Sequence, residues 1–219
     1  MIYEIFIKNN AWLTILNGLF VTVEISAFSL IFGTILGAII CFFRMSKLKI
    51  FSIFARIFIS IVRGSPVLML LMLFFYGIFA ESDLKPIFVA IITFSLHTAA
   101  YVAELLRSAI LATDKGQFEA AKTLGFSKIQ AFRFVTLPQI FKISKPVYQS
   151  TIVNLIQWTS VVGYVTITDL TRVINNISAR TMQPMITIIG GLLIYLSISY
   201  LVYGIFFLSE RRGNKNVSH

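Results

Sequence analysis

The chain has 219 residues, of which 57% are hydrophobic and 13% are charged. With a mean hydropathy of +0.85, this composition excludes a disordered chain and argues against a soluble enzyme, because globular domains carry about 25% charged residues. A disulfide-stapled secreted module is also excluded, since Cys41 is the only cysteine in the sequence. The sequence therefore predicts a helical protein that crosses a membrane several times.

Five apolar runs are separated by polar segments, and a spanning helix needs about 20 mostly apolar residues. We predict an all-α membrane protein with five transmembrane helices, at residues 11–43, 57–80, 86–111, 146–167 and 185–208. The second is the least regular, because Gly64-Ser65-Pro66 interrupts it. Upstream of that break, polar residues recur every three or four positions, at Lys49, Ser52, Arg56, Ser60 and Arg63. This spacing predicts an amphipathic segment that lies along the membrane surface before the span, or a first turn of the span that faces a water-filled cavity.

The distribution of positive charge predicts the orientation of these spans. Of the 19 Lys and Arg residues, 15 fall on one side of the membrane and 4 on the other. The positive-inside rule then places residues 1–10 outside and the tail, residues 213–219, in the cytoplasm, with residues 11–212 as one transmembrane domain. The same asymmetry accounts for the net charge of +10 without a nucleic-acid partner.

The predicted cytoplasmic loop between the third and fourth spans, residues 112–145, carries the strongest local signals. It contains two candidate capping boxes, which mark helix starts, at Asp114 with Gln117 and at Ser127 with Gln130. Gly125 stands where the first helix would end in a left-handed residue, and Pro138 stands where the second would end. We therefore predict two short helices joined by a tight turn.

The loop also resembles two motifs of other protein classes. Residues 119–130 resemble a DNA-binding helix-turn-helix, which would make the chain a membrane-tethered regulator, but spans flank the segment on both sides. Residues 116–123 differ by one residue from a phosphate-binding loop, but they lack its second glycine and a preceding strand. We expect no nucleotide site in this chain.

Glu119-Ala120-Ala121, Gly125 and Leu137-Pro138 together resemble the EAA loop of bacterial ABC importer permeases. Two further segments resemble motifs of the polar amino acid uptake class of these permeases. Val62-Arg63-Gly64-Ser65-Pro66 is similar to its VRGTP segment, and residues 101–107 are similar to its YVAEILR segment. The similarity covers almost the whole chain.

This resemblance implies the transmembrane domain of a type I ABC importer in the bacterial cytoplasmic membrane, with a polar amino acid as substrate. Another small solute, such as an opine or a compatible solute, is the alternative substrate. The implied partners are a second permease subunit, identical or related, an extracytoplasmic substrate-binding protein, and two ATPase subunits that bind ATP and Mg²⁺. The EAA residues would form coupling helices that dock into a cleft on the ATPase. The chain itself is expected to perform no bond chemistry and to hold no cofactor.

Polar side chains within the apolar runs are candidates for the substrate path, because such groups are costly to place in hydrocarbon. The candidates are Glu24 in the first span, His97 and Glu104 in the third, and Asn154, Gln157, Trp158 and Thr159 in the fourth. Structural alternatives are an inward-facing Glu24 carboxyl paired with a neighbouring helix, a packed His97, a local ion pair between Glu104 and Arg107, and interhelical hydrogen bonds in the fourth span.

The fourth span departs from the class that the chain resembles. That class has Lys-Asp or Lys-Glu before Thr-Ser, whereas this chain has Gln157-Trp158 before Thr159-Ser160. The missing carboxylate argues against a preference for cationic substrate side chains. We expect no metal site, since Cys41 stands alone and the second histidine is His219 in the tail.

Overall fold

The computed structural model describes residues 10–215, with side chains for residues 10–208, and every regular element in this part of the chain is helical. The predicted terminal segment 1–9 and residues 216–219 lie outside the described residues. The helices are α1 Ala11–Arg44, α2 Lys49–Gly64, α3 Val67–Met72, α4 Pro86–Leu111, α5 Lys115–Thr123, α6 Lys128–Ala131, α7 Leu137–Trp158, α8 Leu170–Thr181 and α9 Pro184–Lys215. Wider π turns extend α3 over Leu73–Ile78 and α6 over Phe132–Thr136, and a 3₁₀ turn, Thr159–Val165, extends α7.

Three described helices are long and apolar enough to cross a membrane without a break. They are α1, α4 and the Pro184–Leu208 part of α9. A fourth candidate is the pair formed by α2 and Val67–Ile78, which are separated by a break in the helix at Ser65 and Pro66. The predicted span 57–80 is therefore not one straight helix. Pro66 causes the break, because it adopts an extended conformation with φ −60° and ψ 132° and has no N–H to continue the helical bonding.

The predicted fourth span, residues 146–167, has different bounds in the structure. Helix α7 begins nine residues earlier, at Leu137, contains Pro146, and ends at Trp158, where the chain tightens into the 3₁₀ turn. Helix α7 is not among the described helices that are apolar enough to span alone. The reason is its polar content, which includes Lys142, Lys145, Gln149, Asn154 and Gln157. The count of five spans remains a prediction.

The chain divides into two compact units. The first comprises, within the described residues, 10–31, 65–95 and 152–215. Its core is built from fully buried apolar side chains on several helices, which include Ile25, Leu71, Phe94, Leu155 and Val165. Between helices that cross a membrane, close van der Waals packing of such side chains stabilises the contact, because lipid tails are as apolar as the side chains themselves.

The second unit comprises residues 32–64 and 96–151. Its core contains Cys41, Ile59 and Ala103, which lie on α1, α2 and α4. Helices α1 and α4 approach closely at Gly37, where an added Cβ would lie 2.7 Å from the Cβ of Val102. Small residues at such crossings are typical of membrane helix pairs.

Candidate coupling and substrate sites

Helix α5 begins at a side-chain cap, as predicted. The Oδ1 atom of Asp114 accepts a hydrogen bond from the Gly116 amide at 2.8 Å. The predicted capping box with Gln117 is wrong, because Gln139 takes that place. The Asp114 amide donates to Oε1 of Gln139 at 3.1 Å, and Nε2 of Gln139 donates to Oε1 of Gln117 at 2.8 Å. Gln139 thereby ties the start of α5 to the first turn of α7.

The turn between α5 and α6 matches its prediction. Gly125 has φ +89°, a left-handed conformation that costs other L residues free energy. The Gly125 amide donates to the Lys122 carbonyl at 3.0 Å and the Phe126 amide to the Ala121 carbonyl at 3.2 Å, which is the Schellman pattern. A full capping box between Ser127 and Gln130 then starts α6.

The prediction that Pro138 ends the second helix is wrong. The chain stays helical from Lys128 to Trp158, because the π turn at Phe132–Thr136 joins α6 to α7. Within that turn the Leu137 amide bonds to the Phe132 carbonyl, five residues back. The wider turn makes room for the ring of Pro138 and removes the need for its missing N–H.

We call residues 114–138 the coupling module. The module packs α5 against α6 and its π turn through small buried residues, Ala121 and Ala131. Its outer face exposes large apolar side chains, with Leu124 and Ile129 each 79% exposed and Phe134 60% exposed. The predicted coupling residues Glu119, Ala120, Gly125 and Pro138 are also exposed, whereas Leu137 is half-buried and Ala121 is buried. Glu119 pairs with Lys122 on the module itself, at 3.0 Å.

In the first unit, the polar candidates on α7 divide into two groups. Asn154 and Gln157, one turn apart, are exposed. Thr159 is fully buried, and its hydroxyl donates to the Ile156 carbonyl at 2.6 Å, so it serves the helix rather than an open surface. Trp158 is half-buried and packs against the core of this unit. Glu24 is half-buried on α1.

In the second unit, the candidates on α4 have structural partners. The predicted ion pair is confirmed, because Nε of Arg107 lies 3.0 Å from both carboxylate oxygens of Glu104. His97 is buried, with its ring centroid 5.1 Å from that of Tyr101. The guanidinium of Arg63 lies 5.0 Å from the same tyrosine ring, in a cation–π contact.

The first unit also contains a polar pocket that the sequence did not predict. It has a volume of about 440 Å³ and is lined by residues of the 3₁₀ turn and of α8, namely Ser160, Gly163, Tyr164, Thr171, Arg172, Asn175 and Asn176. The opposite face of α8 is buried through Leu170, Val173, Ile174 and Ile177, so the helix presents only its polar side to the pocket. We call this site the Arg172 pocket.

Asp169 fixes the start of α8 beside this pocket. Its carboxylate is fully buried and accepts hydrogen bonds from the amides of Thr171 and Arg172, at 3.1 and 3.0 Å. Burial raises the pKa of the Asp169 carboxyl above its usual value, and these amide hydrogen bonds offset only part of that rise. The amide of Leu170 also donates to the hydroxyl of Thr22, at 3.2 Å, which joins α8 to α1.

Arg172 is held in place by the backbone of the 3₁₀ turn. Its guanidinium donates to the carbonyl oxygen of Gly163, and its aliphatic stem lies against the same glycine. The sequence indicated only that Arg172 is one of the four Lys and Arg residues on the extracytoplasmic side of the membrane. The signal that could have identified the site is the close spacing of Asp169 and Arg172 between two apolar runs.

Comparison with known proteins identifies the family. Residues 12–215 match the family described as the inner membrane component of binding-protein-dependent transport systems. The chain belongs to this family. The predicted all-α fold of an ABC importer transmembrane domain is thereby confirmed, and a DNA-binding regulator is not supported.

The relatives of this chain include proteins named as transport permeases. The chain is 33% identical to the L-cystine transport system permease protein TcyB of Bacillus subtilis (strain 168), over 97% of this chain and 92% of that protein. It is 36% identical to the probable amino-acid ABC transporter permease protein YckA of the same organism, over 84% and 82% of the two chains. A solved structure titled as an amino acid ABC transporter with histidines has a TM-score of 0.83 and 28% identity, covering 91% of this chain and 94% of its own.

Proposed function

We propose that this permease is a transmembrane subunit of an ATP-driven importer for a polar amino acid. It would act with a second permease subunit, an extracytoplasmic substrate-binding protein and two ATPase subunits. The observation that carries the proposal is the coupling module, which exposes Leu124, Ile129 and Phe134 on a segment otherwise rich in charge. Family membership supports the same function.

The exposed apolar face fits a protein partner better than it fits water. Full burial of one Leu or Ile side chain stabilises a complex by roughly 1.5–3 kcal/mol. The backbone beneath this face is fixed by the Schellman turn, the Ser127 capping box and the Gln139 bonds. A surface motif whose backbone is held in this way can follow the movement of a bound ATPase. ATP and Mg²⁺ would be held by that partner, and this chain would contribute no catalytic step.

A single helical stretch connects the coupling module to the amide side chains that we assign to the solute pathway. The chain is helical without interruption from Lys128 to Trp158, and Asn154 and Gln157 are exposed near the end of that stretch. Exposed amides on a membrane helix favour a polar pathway over lipid contact. The names of TcyB and YckA support an amino acid, and the Gln157-Trp158 pair supports one with an uncharged side chain.

Affinity purification tests the docking role of the module. The tagged permease, extracted from its native membrane in mild detergent, should retain an ATPase subunit and ATP hydrolysis. The double substitution Leu124→Asp and Ile129→Asp should reduce the retained ATPase at least tenfold, because two charges would enter the apolar contact.

Met182→Asp is the matched control. Met182 is 81% exposed and already has a left-handed φ of 52°, which aspartate tolerates, so the fold should be unaffected. This variant should retain the ATPase at the level of the unmodified chain. Equal retention by the double variant and the control would refute docking through the coupling module.

A further inference from the structure

We propose that the Arg172 pocket binds the carboxylate of the imported solute, as a site separate from the polar residues of α7. This inference rests on the proposed import function, and it adds the solute group that is recognised and the residue that recognises it. In the predicted topology the pocket lies between the fourth and fifth spans, on the side where solute is delivered.

The position of the guanidinium is fixed rather than freely mobile. Arg172 is half-buried, its stem lies against Gly163, and one of its N–H groups is bound to the Gly163 carbonyl. Arginine has five N–H donors in a planar fork, so further donors are available to a ligand. A fixed arginine fork matches a carboxylate in a two-point contact.

The charge of the pocket favours an anion. Among the described residues, the guanidinium forms no ion pair with a carboxylate. Asp169 does not compete, because its carboxylate is fully buried and bonded to the amides of Thr171 and Arg172. The other side chains that line the pocket are neutral, including Asn175, Asn176, Ser160 and Tyr164.

The lining also selects among anions. Among the described residues that line the pocket, Arg172 is the single cation, which suits a singly charged carboxylate better than a phosphate with a charge near −2. The amides of Asn175 and Asn176 offer carbonyl oxygens as well as N–H groups, and these can accept hydrogen bonds from an ammonium group. The volume of about 440 Å³ lies within the range of about 300–1,000 Å³ that is typical of small-molecule sites. These features together fit the backbone end of an amino acid.

Charged thiol reagents test the electrostatic part of this proposal. In a Cys41→Ala background, Asn176→Cys places a thiol in the pocket, and the same variant with Arg172→Gln added is the neutral reference. The rate ratio of an anionic over a cationic methanethiosulfonate reagent should be roughly 25-fold higher with Arg172 present than in this reference, because one charge at about 4 Å changes each rate by about fivefold in water, in opposite directions. Arg172→Lys should keep the higher ratio. Equal ratios with and without the arginine would overturn the proposal.

Protection from labelling tests the ligand. A mixture of L-amino acids at millimolar concentration should slow labelling at position 176, whereas the corresponding amino acid amides should not. Equal protection by acids and amides, or none by either, would overturn carboxylate binding even if the substituted arginine variants failed to fold. These measurements need neither the ATPase nor the binding protein. Failure of the import function would appear instead as absent ATP-dependent uptake with the reagent preference intact.

Discussion

At the residue scale, Gly125 is the position in the coupling module where the backbone conformation most limits the side chain. Its φ of +89° is a left-handed value, and an added Cβ would meet no atom within 4 Å. The constraint is therefore conformational rather than steric. A left-handed conformation costs an ordinary L residue about 1–2 kcal/mol, but asparagine adopts it more readily.

We expect Gly125→Pro to uncouple ATP hydrolysis from transport, because proline cannot adopt a positive φ and the turn must rearrange. Glu119→Lys should have a weaker effect, since Glu119 is exposed and pairs only locally with Lys122. ATPase activity and uptake are measured in proteoliposomes that contain the ATPase and the binding protein. Gly125→Asn is the matched control and should keep most of the coupled uptake. Wild-type values of both activities in Gly125→Pro would contradict the role of this turn.

Gln157→Ala is predicted to lower transport without loss of assembled permease, because its exposed amide contributes to the polar surface of α7. Loss of a solute hydrogen bond of about 1–3 kcal/mol corresponds to roughly a tenfold change in apparent affinity. Trp158 needs a milder substitution than alanine, because its ring packs against the core of the first unit. Trp158→Phe should lower uptake and keep most of that packing. Unchanged uptake kinetics in both variants, at equal membrane abundance, would place the substrate path elsewhere.

At the element scale, short-range signals in the sequence identified the helix ends better than the longer-range partners. The Asp114 cap, the Ser127 capping box and the left-handed Gly125 depend on neighbouring residues, so local sequence was sufficient to predict them. The role of Gln139 could not be predicted in this way, because its bonds join residues 22 and 25 positions apart. The continuation past Pro138 was missed because it depends on a π turn, which leaves no simple spacing in the sequence.

Close packing of α1 on α4 leads us to predict that a larger side chain at Gly37 lowers the stability of the fold. Gly37→Ala would place a Cβ 2.7 Å from Val102 and 2.9 Å from the Ala99 carbonyl, so the helices would have to separate. Overpacking of this kind typically costs about 1–3 kcal/mol. The thermal unfolding temperature of the purified protein in detergent should fall by several degrees. Gly204→Ala is the control, since its Cβ would meet no atom within 4 Å. Equal unfolding temperatures for the two variants would contradict the close approach at Gly37.

At the scale of the whole molecule, composition and apolar runs were sufficient to predict a helical membrane protein. The bounds of α1 and α4 lie within one residue of the predicted first and third spans. The bounds of the second and fourth spans were not predictable from run length, because a break at Pro66 and polar side chains along α7 interrupt the simple apolar pattern. The Arg172 pocket was missed for a different reason, since it depends on the 3₁₀ turn and α8 folding against each other.

The orientation of the chain across the membrane is a prediction that concerns all of its spans together. From the distribution of Lys and Arg, Asp83 should lie on the extracytoplasmic side of the membrane and Leu124 on the cytoplasmic side. In the Cys41→Ala background, a membrane-impermeant thiol reagent added to intact cells should label Asp83→Cys. It should label Leu124→Cys only after the membrane is opened. The reverse pattern would place the coupling module where no cytoplasmic ATPase could reach it.

In the proposed function, this chain moves an amino acid at the expense of ATP hydrolysed by a partner bound to the coupling module. The decisive measurement is accumulation of a mixture of ¹⁴C-labelled L-amino acids by proteoliposomes, which hold the complex purified through the tagged permease, with its binding protein added outside. We predict accumulation of label that requires ATP inside the vesicles and that falls at least tenfold with Leu124→Asp and Ile129→Asp. Accumulation that is independent of ATP, or that is unchanged in the double variant, would contradict the account.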